Sequence, residues 1–195
     1  IHETFGILLY NDHSEVGKHQ PLMIAIEECV PDEDLRNELI DNCWLQKLWS
    51  PAITPKGGFF CEVAAVFDFL FDGPGGYNLD TGWWFKKTKE FQDQVERYCR
   101  FCSIPVPFPH VPTDSKVDYI SLGNLQRLKK ADSPWVKKGN IVEVSDRFGR
   151  KDIQQILSSY EYAPWEYLGE KGVRDKEGKY RGGFAAERKH SPLSG

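Results

Sequence analysis

Four of the chain's five cysteines stand in a pattern that can do chemistry. Cys43 and Cys61 are separated by seventeen residues, and Cys99 and Cys102 form a close Cys-x2-Cys pair. A turn at that close spacing points both sulfurs the same way. Thiolates from two further elements then complete a tetrahedral site. Zinc and an iron–sulfur cluster both accept four thiolates, so the spacing leaves the choice between them open. Two metal-free readings stay open as well. A buried cysteine packs as a small hydrophobe, so the four can be core thiols, or they can form a disulfide or dithiol arrangement. A thioredoxin-like role for Cys99 and Cys102 is disfavoured, because the pair follows a predicted helix whose dipole opposes a thiolate there. Cys29, near the end of an apolar segment, reads as core.

Other residues invite weaker readings. Trp44, Phe59, Phe60, Phe101 and Phe108 would give the cysteines an apolar shell that limits solvent access. His110, eight residues beyond Cys102, is a substitute ligand if Cys43 or Cys61 does not serve, but reads first as part of a proline-rich wall. Asp68 and Asp72 have the i,i+4 spacing of an acid–base pair, although a solvated helix face is the plainer reading. Gly73–Gly76 lacks the Lys-Ser/Thr of a phosphate loop and reads as a turn. Trp83 and Trp84 read as core or as substrate contacts of a larger enzyme. Residues 127–151 carry eight basic and three acidic residues. That segment reads as a solvated face or an interface; nucleic acid is disfavoured.

The positioning elements follow from periodicity and turn signals. Phe5–Tyr10 and Pro21–Ile26 read as short strands. Apolar spacing predicts a helix over 32–49, with Cys43 on its inward face and Asp32 or Asp34 as cap. Seven acids and one Arg lie between Glu27 and Asp41. After the glycine turn at Gly57–Gly58, Phe59–Cys61 reads as extended and Glu62–Phe71 as a buried helix that stops at Asp72-Gly-Pro-Gly. Thr88 caps a predicted helix to Tyr98, and four prolines between Ile104 and Pro112 favour an extended covering strand. Further on, Ser121 reads as the cap of a short helix through Leu128, Asp152–Tyr160 as a helix, Ile141–Val144 as a strand, and Gly172–Gly183 as a loop or hairpin.

Composition narrows the class. In 195 residues, 25 Lys and Arg against 29 Asp and Glu leave a net charge of −4, which argues against a general nucleic-acid surface. Six Trp, twelve Phe and eight Tyr argue against global disorder. No apolar run approaches the ~18 residues of a membrane span. Five cysteines are too few for a disulfide-dense scaffold, so a reducing compartment, the cytoplasm, is expected. The chain starts with Ile1, which reads as a fragment or a processed product.

The stretches Asn42-Cys-Trp-Leu-Gln-Lys-Leu-Trp-Ser-Pro-Ala-Ile53, Pro55-Lys-Gly-Gly-Phe-Phe-Cys-Glu-Val-Ala-Ala65, Phe71-Asp-Gly-Pro-Gly-Gly76, Gly82-Trp-Trp84 and Cys99-Arg-Phe-Cys102 carry a resemblance. Over about residues 20–112 the chain resembles the C-terminal auxiliary-cluster region, of SPASM or Twitch type, of radical S-adenosylmethionine enzymes. The resemblance implies that Cys43, Cys61, Cys99 and Cys102 ligate one [4Fe–4S] cluster that passes electrons or shapes a substrate pocket. The expected architecture is an α+β fold, a small sheet with three to five helices around that four-cysteine cluster site. Residues 1–120 would form the auxiliary-cluster domain. Residues 121–195 would be an extension packed on it, with its last residues disordered. The Cys-x3-Cys-x2-Cys motif of the family's catalytic barrel does not occur in this sequence. S-adenosylmethionine and a second [4Fe–4S] cluster would therefore belong to a missing barrel, which would be the chain's partner. The chain itself would be a non-catalytic part, with Phe5–Tyr10 as the last barrel strand and a flavodoxin or ferredoxin as possible reductant. The competing expectation is a zinc-stabilised structural or protein-binding module.

Overall fold

A capping acid opens the first long helix. Asp32 accepts the Leu35 amide at 3.0 Å, and the helix α2 runs Glu33–Asp41. The computed structural model describes residues 7–9, 18–43, 45–46, 51–106, 108–109, 111–112, 116–159 and 173–175. The expected unbroken helix to Trp49 is corrected at Asn42 and Cys43; Leu45 and Gln46 are helical again, and residues 47–49 lie outside the described residues. The Asn42 side chain donates to the Glu38 carbonyl at 2.8 Å and its own backbone leaves the helical region, so α2 closes there. Cys43 thus lies just past the helix rather than on its inward face. Pro21–Ile26 is also not a strand: Met23 makes a lone bridge to Ile120, and a short helix, α1, occupies Ile26–Cys29.

The apolar run after the glycine turn folds as its pattern demands. Strands β3 (Ala52–Thr54) and β4 (Gly57–Phe59) form a hairpin, and α3 covers Glu62–Leu70. Gly57 needs its glycine, with φ at +114°, and a Cβ on Gly58 would come within 3.0 Å of the Trp83 ring. A 3-10 turn, Thr88–Phe91, leads into α4, Gln92–Tyr98. Lys87, not Thr88, precedes that turn, and its amide donates to Glu90 Oε2 at 2.8 Å.

Among the described residues, four two-stranded ribbons replace the expected small sheet. Besides the hairpin, β1 (Ile7–Leu9) pairs antiparallel with β8 (Val173–Asp175), and β2 (Lys18–His19) with β5 (Val111–Pro112). Among the described strands, only β6 (Asp118–Ser121) and β7 (Ile141–Val144) run parallel. The helices α5 (Leu122–Lys130) and α6 (Pro134–Lys137) supply the crossover that a parallel pair needs. With α7, Arg150–Ser159, seven α-helices are bounded within the described residues, more than the three to five expected. The architecture is a small α+β fold.

Isolated ribbons are marginal, so helices must supply the cores. One core gathers Cys43, Phe59, Phe60, Phe67, Phe91 and Tyr98 between the hairpin, α3 and α4. The other packs Ile26, Val30, Leu35, Leu39, Val106 and Ile153 between α1, α2 and α7. Ile40 touches both. The basic stretch is not merely a solvated face. Arg127 pairs with Glu27 at 2.8 Å and lies 3.8 Å over the Phe101 ring, and Arg150 pairs with Glu38 at 2.9 Å. Part of the acidic cluster around α1 and α2 is thereby matched by later basic residues.

The start of α5 departs from expectation in a useful way. Ser121 does not cap it. Its hydroxyl accepts the Ala25 amide at 3.1 Å and donates to Glu28 at 2.7 Å. Glu28 itself takes the Gly123 amide at 2.9 and 3.1 Å, so an acid from α1 caps a helix 95 residues away. Glu28→Ala should therefore lower stability by ~1–2 kcal/mol, read as a lower urea midpoint at unchanged slope. An unmoved midpoint would show that the cap contributes nothing. No described helix is long and apolar enough to cross a membrane.

Candidate functional site

The end of α2, the start of α3 and the end of α4 meet at one point, and each brings cysteine. Cys43 follows α2, with its amide on the Ile40 carbonyl at 3.0 Å. Cys61 holds the extended N-cap position of α3. Cys99 and Cys102 bracket the 3-10 turn that ends α4, closed by the Cys102 amide on the Cys99 carbonyl at 3.2 Å. All four are buried and line a single cavity with Phe60, Phe67, Tyr98 and Ile104. Its open volume is about 20 Å³, room for about one water. Gln94, itself buried, clamps the wall by accepting the Phe60 amide and donating to the Gly58 carbonyl, each at 3.1 Å.

The sulfurs sit in an apolar field. The Ile104 amide donates to Cys102 Sγ at 3.3 Å, and Gln46 Nε2 lies 3.9 Å from Cys99 Sγ. Burial pushes the Cys61 thiol up to about 12, with Glu62 and Cys43 adding to it. Burial likewise raises Cys99 and Cys102 well above the ordinary thiol range, followed by the neighbouring cysteines. These groups are neutral thiols at physiological pH, and none of the five cysteines is in a disulfide. Cys29 is buried apart from them in the second core, as expected.

A metal ion asks for more than a shared cavity. Thiolates bind zinc at ~2.3 Å, so three or four sulfurs must converge on one centre. Among the described residues no group of three or more His, Cys, Asp or Glu is placed to hold a metal ion. The donor set does not fit the implied group in this arrangement. The expected four-cysteine cluster site, its [4Fe–4S] cofactor and the zinc alternative are therefore corrected. The reading as an auxiliary domain of a radical S-adenosylmethionine enzyme, with that enzyme's cofactors, rested on the same convergence and is corrected with them. The described residues show no catalytic or cofactor-binding cluster in their place. No family model, no curated protein and no solved structure matches the chain.

The remaining candidates separate. Phe59 and Phe60 do join the thiol core, whereas Phe108 packs in the second core, 5.5 Å from the Phe148 ring. Trp83 is buried against the hairpin. His110 and Trp44 lie outside the described residues. Asp68 and Asp72 do not act as a pair: Asp72 is exposed, while Asp68 is fully buried. Asp68 forms an ion pair with Lys56, and its Oδ2 accepts from the Tyr98 hydroxyl and, at 2.9 Å, from the Gly75 amide. Burial alone would raise its pKa; Lys56, Tyr98 and Gly75 overcome that and hold it below the usual carboxylate range. Sequence reasoning placed Asp68 on a solvated face. The missed signal was an acid flanked on both sides by phenylalanine in an apolar helix.

Proposed function

We propose that Cys43, Cys61, Cys99 and Cys102 form an oxidation-responsive thiol centre. One observation carries the reading: four of five cysteines, drawn from three elements, line one small cavity. The cavity is far below the ~300 Å³ that an organic ligand occupies. With no group there placed to hold a metal ion, the chemistry left to the site is that of the sulfurs themselves.

The oxidant is a hydroperoxide, of which hydrogen peroxide is small enough to approach such a cavity. One thiol attacks the O–O bond, becomes a sulfenic acid and releases one water. A second thiol displaces the sulfenic oxygen as a second water and forms the S–S bond. Overall, two thiols lose two protons and two electrons, and one peroxide becomes two waters. Thiols react as thiolates, so the buried, neutral sulfurs of Cys61, Cys99 and Cys102 stay quiet until the packing around them opens. Opening, rather than chemistry, sets the rate. A resting dithiol state suits a reducing compartment, and the cytoplasm is the proposed location.

The test is peptide mapping of the whole chain under non-reducing conditions, before and after hydrogen peroxide. The expected product has lost two hydrogens between cysteines of this set, and Cys29 stays alkylatable after unfolding. Four unchanged thiols, or a product built on Cys29, would overturn the proposal. So would stoichiometric iron with sulfide, or zinc, in protein purified without oxygen.

A further inference from the structure

Tyr98 belongs to two structures at once. Its ring lines the thiol cavity, directly before Cys99. Its hydroxyl donates to buried Asp68, which also receives the Gly75 amide at 2.9 Å and the Lys56 ammonium. Lys56 in turn donates to the Gly73 carbonyl at 2.6 Å, and its own carbonyl takes the Gly76 amide at 2.8 Å. The next pair of bonds joins Tyr77 to Gly58, at 2.8 and 2.9 Å. A continuous network thus runs from the Tyr98 hydroxyl, on the residue next to Cys99, to the outer hairpin.

The network has little slack. A Cβ on Gly73 would collide with the Asp68 carboxylate and stand 2.8 Å from the Tyr98 hydroxyl, and one on Gly76 would meet the Gly58 backbone. The end of α4 therefore cannot shift without moving the Gly73–Tyr77 loop or breaking a bond to Asp68. That loop leads to Leu79, which lies over Gly58. Ile53 stands opposite Gly58 in the hairpin register and is 67% exposed, so both residues crown the same hairpin face.

We infer that Tyr98 and Asp68 are positioning residues that carry a change at the thiols to the Gly73–Tyr77 loop and the hairpin. The inference rests on the oxidation reading above. A disulfide that engages Cys99 or Cys102 draws in the 3-10 turn, pulls the Tyr98 hydroxyl from Asp68, and loosens the loop. The oxidation state of the buried centre then becomes visible on the hairpin surface.

The experiment is amide hydrogen exchange on the full chain, reduced and peroxide-oxidised, with the disulfide mapped in the same sample. Oxidation should speed exchange at Gly75 and Gly58 by roughly tenfold, as for loss of one charge-assisted bond. The Ile153 amide, in the other core, should not change. Tyr98→Phe keeps the ring and loses only the hydroxyl. In that variant the same disulfide should form, while Gly75 exchange no longer depends on redox state. A mapped disulfide at Cys99 or Cys102 with unchanged Gly75 exchange in the parent, or a disulfide between Cys43 and Cys61 alone, would overturn this inference and leave the thiol centre standing. Redox-dependent Gly75 exchange that survives in Tyr98→Phe would also overturn it. No disulfide at all would overturn the thiol centre, and the inference with it.

Discussion

Asp68→Asn should unfold about 10 °C below the parent chain, a loss of ~3 kcal/mol. Asparagine keeps the shape of the side chain and one acceptor. It leaves the Lys56 ammonium without its buried counter-charge and can no longer satisfy Tyr98, Gly75 and Lys56 together. Lys56 is partly open to solvent, which keeps the loss at the low end of what a broken buried pair costs. The sign with pH is fixed. The folded-state pKa of Asp68 lies below that of an unfolded aspartate, so its contribution is complete above about pH 4. It fades as pH falls through the folded value. Urea midpoints of parent and variant should therefore stand apart at neutral pH and converge in acid. A gap that stays constant down to about pH 2 would show that the carboxylate charge is not what holds the loop.

Phe67→Ala should cost ~3–5 kcal/mol. Phe67 is almost wholly buried, stacks on Phe71 at 5.4 Å between centroids, and forms part of the thiol cavity wall. Removing the ring widens that cavity, and the helix α3 cannot close over it while the hairpin and α4 hold its other side. The same variant should expose the sulfurs, so alkylation of Cys61 and Cys102 should speed up as stability falls. A variant within ~1 kcal/mol of the parent, with alkylation unchanged, would mean that the wall collapses and the cavity is not a fixed feature.

Much of the local structure could be read from the chain, and the failures have physical causes. Helix α3 was visible because an apolar run begins at Glu62 and meets an unambiguous stop at Asp72-Gly-Pro. The strand at Ile141–Val144 was visible from its β-branched residues. The α2 end was not, because Leu35, Leu39 and Ile40 continue in phase to Cys43, while a single local bond from Asn42 terminates the helix. The segment before α1 looked like a strand because apolar runs are ambiguous; Ser121 and Glu28, residues far apart in sequence, decide its fate. At the site, the pattern of four cysteines pointed to one metal centre, whereas the structure shows only that the four line one cavity. It did not reveal whether the sulfurs converge on a metal, since that depends on a placement that spacing does not encode. Asp68 was misplaced because its partners Lys56, Gly75 and Tyr98 come from three elements with no common motif.

The cap that Glu28 provides also sets an order of events on the ribosome. The helix α1 emerges early, but Gly123 and Ser121 are made much later, and Ile153, the α7 residue that fills the second core, later still. Until then the Ala25 amide and the Glu28 carboxylate remain hydrated and that core stays open. Closure of this half waits for α7, whereas the thiol core draws on residues up to Ile104 and can assemble first. A truncated product ending near residue 120 would inherit a closed first core beside an unsealed apolar wall, an invitation to aggregation.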